Sequence, residues 1–424
     1  MHRFLYNALL LAAAGPARWW LRRHPRHRAL VARFAPPVPA LPSRPLWVQA
    51  CSVGEVNTVR PLIDALRAHW PDRPILVTAS TASGHARACE LFGEAMVAWF
   101  PFDTRAAVRH FLDAARPGVL VLVETELWPN VLGACVRRGV PVVVVNGRLS
   151  DKHLARYERF RWWFRPMVRG LAAAGMQSAQ HAERMRALGA REEAVRVTGN
   201  LKFDAVRDQV PLRVRQRLRA EHGFKAEGRL LVFGSTRPGD EALASACWSI
   251  LREEYPDLNL IVAPRHVERA DEITALFSEP VARRSEVRRS REPRRERVLL
   301  LDTMGELADF LSIASVAVIG GSFYPGVNGH NPLEPAALGV PVVFGPYMAN
   351  FEEAAAVLAA RGGARQVACP EDLYLALSTL FGDAATRRRM GTLARKAVLE
   401  HQGAVRHTIA LIEEVLAARG PAGA

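Results

Sequence analysis

Carboxylates stand where apolar runs stop. Residues 46–50 lead into Cys51-Ser52-Val53-Gly54-Glu55, and residues 119–123 lead into Glu124-Thr125-Glu126-Leu127-Trp128-Pro129-Asn130. A third run, 140–146, passes into Gly147-Arg148-Leu149-Ser150. If these runs are strands of one parallel sheet, their carboxyl ends border the crevice where ligands of open α/β sheets bind. A carboxylate at such an end is placed to act as a general base, and Glu55 is the candidate. The plainer role for Glu55 is a first-turn carboxylate that complements a helix dipole.

The stretch 320–346, GGSFYPGVNGHNPLEPAALGVPVVFGP, points to a different chemistry. An apolar run at 316–319 enters a glycine-rich loop. The loop ends in His330-Asn331-Pro332-Leu333-Glu334-Pro335, where a helix opens, and a second apolar run follows at 340–344. Glycines let backbone N–H groups approach a ligand, and a helix N-terminus suits phosphate. Glu334, in the first turn, can reach a ribose diol. These are the parts of a nucleotide-sugar site, although an ordinary strand–loop–helix crossover has the same outline. Further polar clusters sit at Gly199-Asn200-Leu201-Lys202-Phe203-Asp204, Gly234-Ser235-Thr236, Ala263-Pro264-Arg265-His266 and Asp302-Thr303-Met304-Gly305-Glu306-Leu307.

The elements that must position these residues follow from the spacing of the apolar runs. Strands are expected at 46–50, 75–78, 96–100, 119–123 and 140–146, with helical stretches at 56–69, 84–92 and 106–115 between them. A second series is expected at 230–234, 258–264, 298–301, 316–319 and 340–344, after a charged, strand-poor segment at 202–228. Alternating strands and helices argue for parallel sheets, so the fold class is α/β with two doubly wound domains and a cleft between them. A chain of 424 residues is long enough for both.

Charge and cysteine usage narrow the partners. The net charge of +15 favours an anionic one. The segment 283–297, RRSEVRRSREPRRER, has no aromatic residues interleaved with its arginines, which argues against nucleic acid. It reads as a solvated loop or as a surface for anionic lipid. Five scattered cysteines show neither a disulfide framework nor a metal-ligand spacing, which fits a reducing cytosol, and no sequence pattern requires a metal. Residues 4–17 are apolar but too short for a spanning helix, and Trp19, Trp20 and a run of arginines follow. An amphipathic or shallowly inserted anchor on the cytoplasmic side is the favoured reading, against a core helix, a marginal span or a signal peptide.

The motifs SVGE, ETELWPN, GNLKFD, PRH, DTMGEL and HNPLEP occur in an order that resembles the Kdo transferases, the lipid A 3-deoxy-D-manno-octulosonic acid transferases of Gram-negative bacteria. The resemblance runs from the N-terminus to about residue 400. It implies a GT-B glycosyltransferase: two Rossmann-like domains facing across a cleft, behind an N-terminal membrane-anchoring helix. The segments would be an anchor at 1–35, an acceptor domain at 36–205 and a CMP-Kdo domain at 206–424. Kdo would pass from CMP-Kdo to a lipid A precursor with inversion and without a cofactor or metal, at the cytoplasmic face of the inner membrane, in lipopolysaccharide biosynthesis. By the same resemblance Glu55 is the general base, and Glu124 and Lys202 stabilise the transition state. CMP contacts fall on Pro264, Arg265, Met304, Gly305, Glu306, Asn331, Pro332, Leu333 and Glu334. The chain departs from the family pattern at Arg237, where a histidine is common, at Gly147, where an alanine is common, and in a longer loop before His330. Two alternatives remain: a GT-B-like sugar-nucleotide epimerase, and a basic protein that binds membrane or nucleic acid without catalysis.

Overall fold

Unbroken valine and leucine runs suit strands buried on both faces, and the longer runs of this kind form strands here. The structure, a computed structural model, describes residues 2–42, 44–225, 228–289 and 294–418, without the side chains of 2, 3 and 151–153. The chain divides into two units, Met1–Ala205 with His401–Ala424, and Val206–Glu400. Each contains a seven-stranded sheet whose recorded pairings are all parallel.

The first sheet holds β1 (Leu46–Gln49), β2 (Ile75–Ala79), β3 (Val97–Trp99), β4 (Val119–Val123), β5 (Val142–Gly147), β6 (Ala173–Met176) and β7 (Val195–Val197), in the order β3-β2-β1-β4-β5-β6-β7. Side chains alternate between two cores. Trp47, Leu120 and Leu122 pack with Phe100 and Phe111 on one face, while Val48, Val119 and Val121 pack with Leu62 and Ile412 on the other. The second sheet holds β8 (Leu230–Thr236), β9 (Asn259–Pro264), β10 (Val281–Arg283), β11 (Val298–Leu300), β12 (Val316–Ile319), β13 (Val342–Phe344) and β14 (Ala364–Gln366), in the order β10-β11-β9-β8-β12-β13-β14. The winding reverses between β1 and β4 in the first sheet and between β8 and β12 in the second. Such a reversal opens a crevice beyond the carboxyl ends of the two strands, which is the usual ligand position in these sheets.

The division of the chain falls between 205 and 206, and residues 401–424, expected in the second domain, belong to the first unit. The helix Ala404–Ala417 returns to the first unit, where Ile412, Leu411 and Leu416 join its core. Asp204 clamps this return: Oδ1 accepts from Gly403 N–H at 2.7 Å and Oδ2 from Val405 N–H at 2.6 Å. Nor do the first 35 residues stand apart from the first domain. The Tyr6 hydroxyl donates to Asp103 Oδ2 (2.8 Å), and Asn130 Nδ2–H donates to Asn7 Oδ1 (2.8 Å). The buried Arg33 donates to the carbonyls of Phe100 and Ser80. Among the described residues no helix is long and apolar enough to cross a membrane. The helix His2–Arg23 nevertheless exposes Phe4, Leu5, Leu9, Leu11, Trp19 and Trp20.

The basic segment 283–297 is only partly a surface. Arg284 is buried and bonds to Glu306 and His222, and burial lowers the Arg294 guanidinium to about 10, while residues 290–293 lie outside the described residues.

Asp204→Ala removes both clamp bonds. We expect it to cost about 1–2 kcal/mol, in the range of a lost helix cap, and to raise amide exchange across 404–417 before the second unit loosens. An unchanged denaturation midpoint and an unchanged exchange pattern would refute the clamp.

Candidate functional site

The reversal point of the first sheet gathers the acids. Ser52 caps the helix Val53–His69, and Glu55 in its first turn folds back, so that Oε2 accepts from Cys51 N–H at 2.8 Å and Oε1 from Ser52 Oγ at 3.0 Å. This reciprocal cap fixes the carboxylate. The dipole role and the reactive role are therefore compatible. Burial pushes the Glu55 carboxyl up to about 7, the hydrogen bond from Cys51 opposes this, and the charges of Glu124 and Glu126 add to the rise. Desolvation is the largest cause, ahead of repulsion from Glu124.

Glu124 follows β4 with φ +60°, and its N–H donates to Val145 O at 2.9 Å. Burial raises its carboxyl too, opposed by the positive charges of Lys202 and Arg148. Lys202 comes into range through Asn146, the polar residue that closes the third apolar run. Asn146 is the penultimate residue of β5, at φ +53°, and its Oδ1 accepts from Leu201 N–H at 3.0 Å, which holds the turn Leu201–Phe203 at the sheet's edge. Asn200 Oδ1 then accepts from Lys202 N–H at 3.0 Å. Thus Glu55, Glu124 and Lys202 do come together. Gly147 has a local cause: a Cβ there would sit 2.5 Å from Met176 Sδ, so the thioether occupies the space of the alanine expected from the family pattern.

The second sheet gathers cations. Asp240, fully buried at the start of the helix Asp240–Glu254, takes Gly321 N–H at 2.6 Å and Arg237 N–H at 2.8 Å on Oδ2, tying the loop after β8 to the glycine loop after β12. Burial raises its carboxyl to about 6. Arg237 Nη1–H donates to His266 Nε2 at 2.7 Å and its Nε–H donates to His330 Nε2 at 3.3 Å. Burial, then the charges of Arg237 and Arg265, lower His330 to about 4, so its ring is neutral. Arg265 itself is exposed on the same edge, directly after β9. Gly320 permits the close approach, since a Cβ there would lie 2.5 Å from Ser235 O.

The remaining expected nucleotide contacts divide. Pro264 ends β9 and is buried. Met304 is 66% exposed and Gly305 adopts φ +85°, which leaves an open backbone turn after β11. The Glu306 side chain is not open. Burial alone would raise its carboxyl, but Arg284 Nη2–H at 3.0 Å and the Thr303 hydroxyl hold it below the usual range. The helix after the glycine loop is only Leu333–Ala337, preceded by Pro332. Asn331 organises it: Oδ1 accepts from Leu333 N–H at 3.1 Å and Nδ2–H donates to Glu334 Oε1 at 3.2 Å. Burial raises the Glu334 carboxyl. Among the described residues no group of three or more acids, histidines or cysteines is arranged to hold a metal ion.

Comparison with known proteins gives the family and the fold. Residues 22–205 match the family model described as 3-deoxy-D-manno-octulosonic-acid transferase (kdotransferase). The chain is 33% identical over 443 residues to a 3-deoxy-D-manno-octulosonic acid transferase of Bordetella pertussis, covering 98% of this chain and 100% of that one. Among solved structures, a glycosyltransferase from Rickettsia africae superposes with a TM-score of 0.58 at 10% identity, over 88% of this chain and 99% of that one. A UDP-GlcNAc 2-epimerase from Neisseria meningitidis, bound to UDP-GlcNAc, also gives 0.58, at 13% identity over 88% and 100%. At such identities the two structures share the fold with this chain and nothing finer, so the GT-B-like architecture does not choose between transfer and epimerisation.

The raised Glu55 carboxyl makes a stability prediction. The folded state keeps its proton to about pH 7 against an ordinary value of 4.5, so stability falls as pH rises between those values and the full penalty stands above 7. Glu55→Gln should therefore raise the denaturation midpoint at pH 8 and leave it nearly unchanged at pH 4. A midpoint at pH 8 at or below that of wild type would contradict the raised value.

Proposed function

We propose a complete reaction for this chain, which belongs to the 3-deoxy-D-manno-octulosonic acid (Kdo) transferase family: Kdo passes from CMP-Kdo, held by the second unit, to a hydroxyl of a lipid A precursor, held by the first. The chain is a glycosyltransferase of lipopolysaccharide biosynthesis. Glu55 accepts the proton of the acceptor hydroxyl. The oxygen attacks the anomeric carbon of Kdo, and CMP departs with the electron pair from the opposite face, giving inversion. Negative charge grows on the leaving phosphate, where Arg265 and Arg237 supply fixed positive charge. Glu124 stabilises the positive charge on the sugar ring, and Lys202 balances Glu124 and the leaving group. Glu334 receives a ribose hydroxyl, and the backbone at Met304–Glu306 borders the cytosine.

One observation carries this reading: a half-buried carboxylate at the sheet's reversal point, fixed by two hydrogen bonds and pushed up by desolvation to about 7. A general base works best with a value near the operating pH. We also place the protein on the cytoplasmic face of the inner membrane. Exposed Phe4, Leu9, Trp19 and Trp20 supply interfacial affinity, and the arginines that follow supply attraction to an anionic leaflet. Exposed Phe160 and Trp162 extend this apolar surface, and Trp163 packs edge-on against Tyr6.

Transfer measured by mass spectrometry of the product tests the base. Glu55→Gln should lower kcat by about 10²–10⁴-fold with CMP affinity nearly unchanged, and wild-type kcat/KM should climb with pH through about 7. Transfer by Glu55→Gln within threefold of wild type would remove Glu55 from the role. Arg265→Ala should weaken CMP binding by about 10–100-fold, as for a lost charge-assisted hydrogen bond, and unaltered calorimetric titration would place the nucleotide elsewhere.

A further inference from the structure

A cleft of about 1110 Å³ lies between the helix His2–Arg23 and the helices Arg105–Ala115 and Pro129–Arg137. Ala8, Leu11 and Ala14 line it from the first helix, and Phe34, Val108 and Ala134 line it from the body of the first unit. The bonds Tyr6 to Asp103 and Asn130 to Asn7 pin the helix at one end and leave the space beneath it open. Hydrocarbon fills such a lining more favourably than water does.

The rim is cationic. Arg18, Arg105, Arg109, Arg137 and Arg138 border the cleft. Arg138 pairs with Asp113 at 2.6 Å, and the other four form no ion pair with another described residue. Guanidinium groups bind phosphate in a fixed, two-pronged geometry. An apolar interior behind unneutralised arginines matches a phosphorylated lipid in both parts.

The cleft is also joined to the reacting groups. The segment 124–130 has Glu124 and Glu126 beside Glu55 at one end, and at the other Asn130, which lines the cleft and bonds to Asn7 and Asp103. We propose that the cleft takes an acyl chain of the phosphorylated glycolipid acceptor, with an acceptor phosphate on Arg105 and Arg109, so that the sugar reaches Glu55 from the lipid side. This inference rests on the reaction proposed above and names the part of the acceptor that the first unit recognises.

The test uses the full chain, the acylated acceptor and its deacylated, water-soluble counterpart. Ala8 is exposed on its helix, so Ala8→Trp intrudes on the cleft without entering a core. We expect the kcat/KM ratio of acylated to deacylated acceptor to fall about tenfold, equivalent to excluding a pair of buried methylenes. Arg105→Glu with Arg109→Glu should lower efficiency on the phosphorylated acceptor more than on a dephosphorylated one. Wild type should bind a fluorescent polyene fatty acid that the acylated acceptor displaces more strongly than phospholipid vesicles do. An unchanged ratio in Ala8→Trp would overturn the proposal, as would equal displacement by the vesicles, which would assign the cleft to bulk lipid. Binding of the fatty acid without Kdo transfer from wild type to either acceptor would overturn the reaction itself, and this inference with it.

Discussion

A side chain in a parallel strand points above or below its sheet, so a functional group can face the sheet's edge only if the backbone bends as the strand ends. Three non-glycine residues make that bend here in the left-handed region: Glu124 at φ +60°, Asn146 at φ +53° and Ser235 at φ +57°. Such a conformation costs an L-residue about 1–2 kcal/mol. Each bend stands at the end of β4, β5 or β8, at or next to the reversal points of the two sheets. Neighbouring strands hold them in place. Val145 accepts from the Glu124 N–H, Leu201 donates to Asn146, and the backbone at Gly320 closes on Ser235. The strain sits where ligand recognition is expected, as is common for constrained backbone.

The two edges carry opposite electrostatic characters. Glu55, Glu124 and Glu126 crowd the first, where burial and mutual repulsion keep a carboxyl ready to take a proton near neutral pH. Arg237, Arg265 and His266 surround the neutral His330 on the second. The replacement of the family's common histidine by Arg237 acquires a meaning here. A histidine at this point would carry a charge that titrates close to physiological pH, whereas an arginine carries one that does not. The charge that Arg237 brings to this edge is therefore insensitive to pH, although the Asp240 carboxyl beneath it, raised to about 6, still titrates.

Much of this was legible because buried parallel strands announce themselves as valine and leucine runs. β1, β2, β4, β8 and β12 fall on such runs, as do the acids and glycines that follow them. β6 (Ala173–Met176) escaped notice because alanine, glycine and methionine carry little strand signal, and β7 and β14 because only their first residues are buried. Glu55 was readable from its place after a strand, but its titration near 7 arises from desolvation, which no spacing records. The cluster of Arg237, His266 and His330 draws on the ends of three strands, and only the sheet order makes them neighbours. Asn146 was legible as a polar residue closing an apolar run, but its bond to Leu201 depends on the fold. The basic segment misled, because Arg284 spends its charge on Glu306 and His222 rather than on solvent.

The crossing back of residues 401–418 sets an order of events during synthesis. The ribosome releases 36–205 early, yet the core beside β1, β4 and β5 lacks Leu411, Ile412 and Leu416 until the last stretch of chain emerges. The strands of the second unit are all available by then. The half that is made first is thus completed last, and in the interval the part of its apolar sheet face that the helix Val53–His69 does not cover stays exposed on the nascent chain. That interval is a period of exposure to chaperones and to aggregation, and a ribosome stalled before residue 400 would leave a finished second unit attached to an unfinished first one.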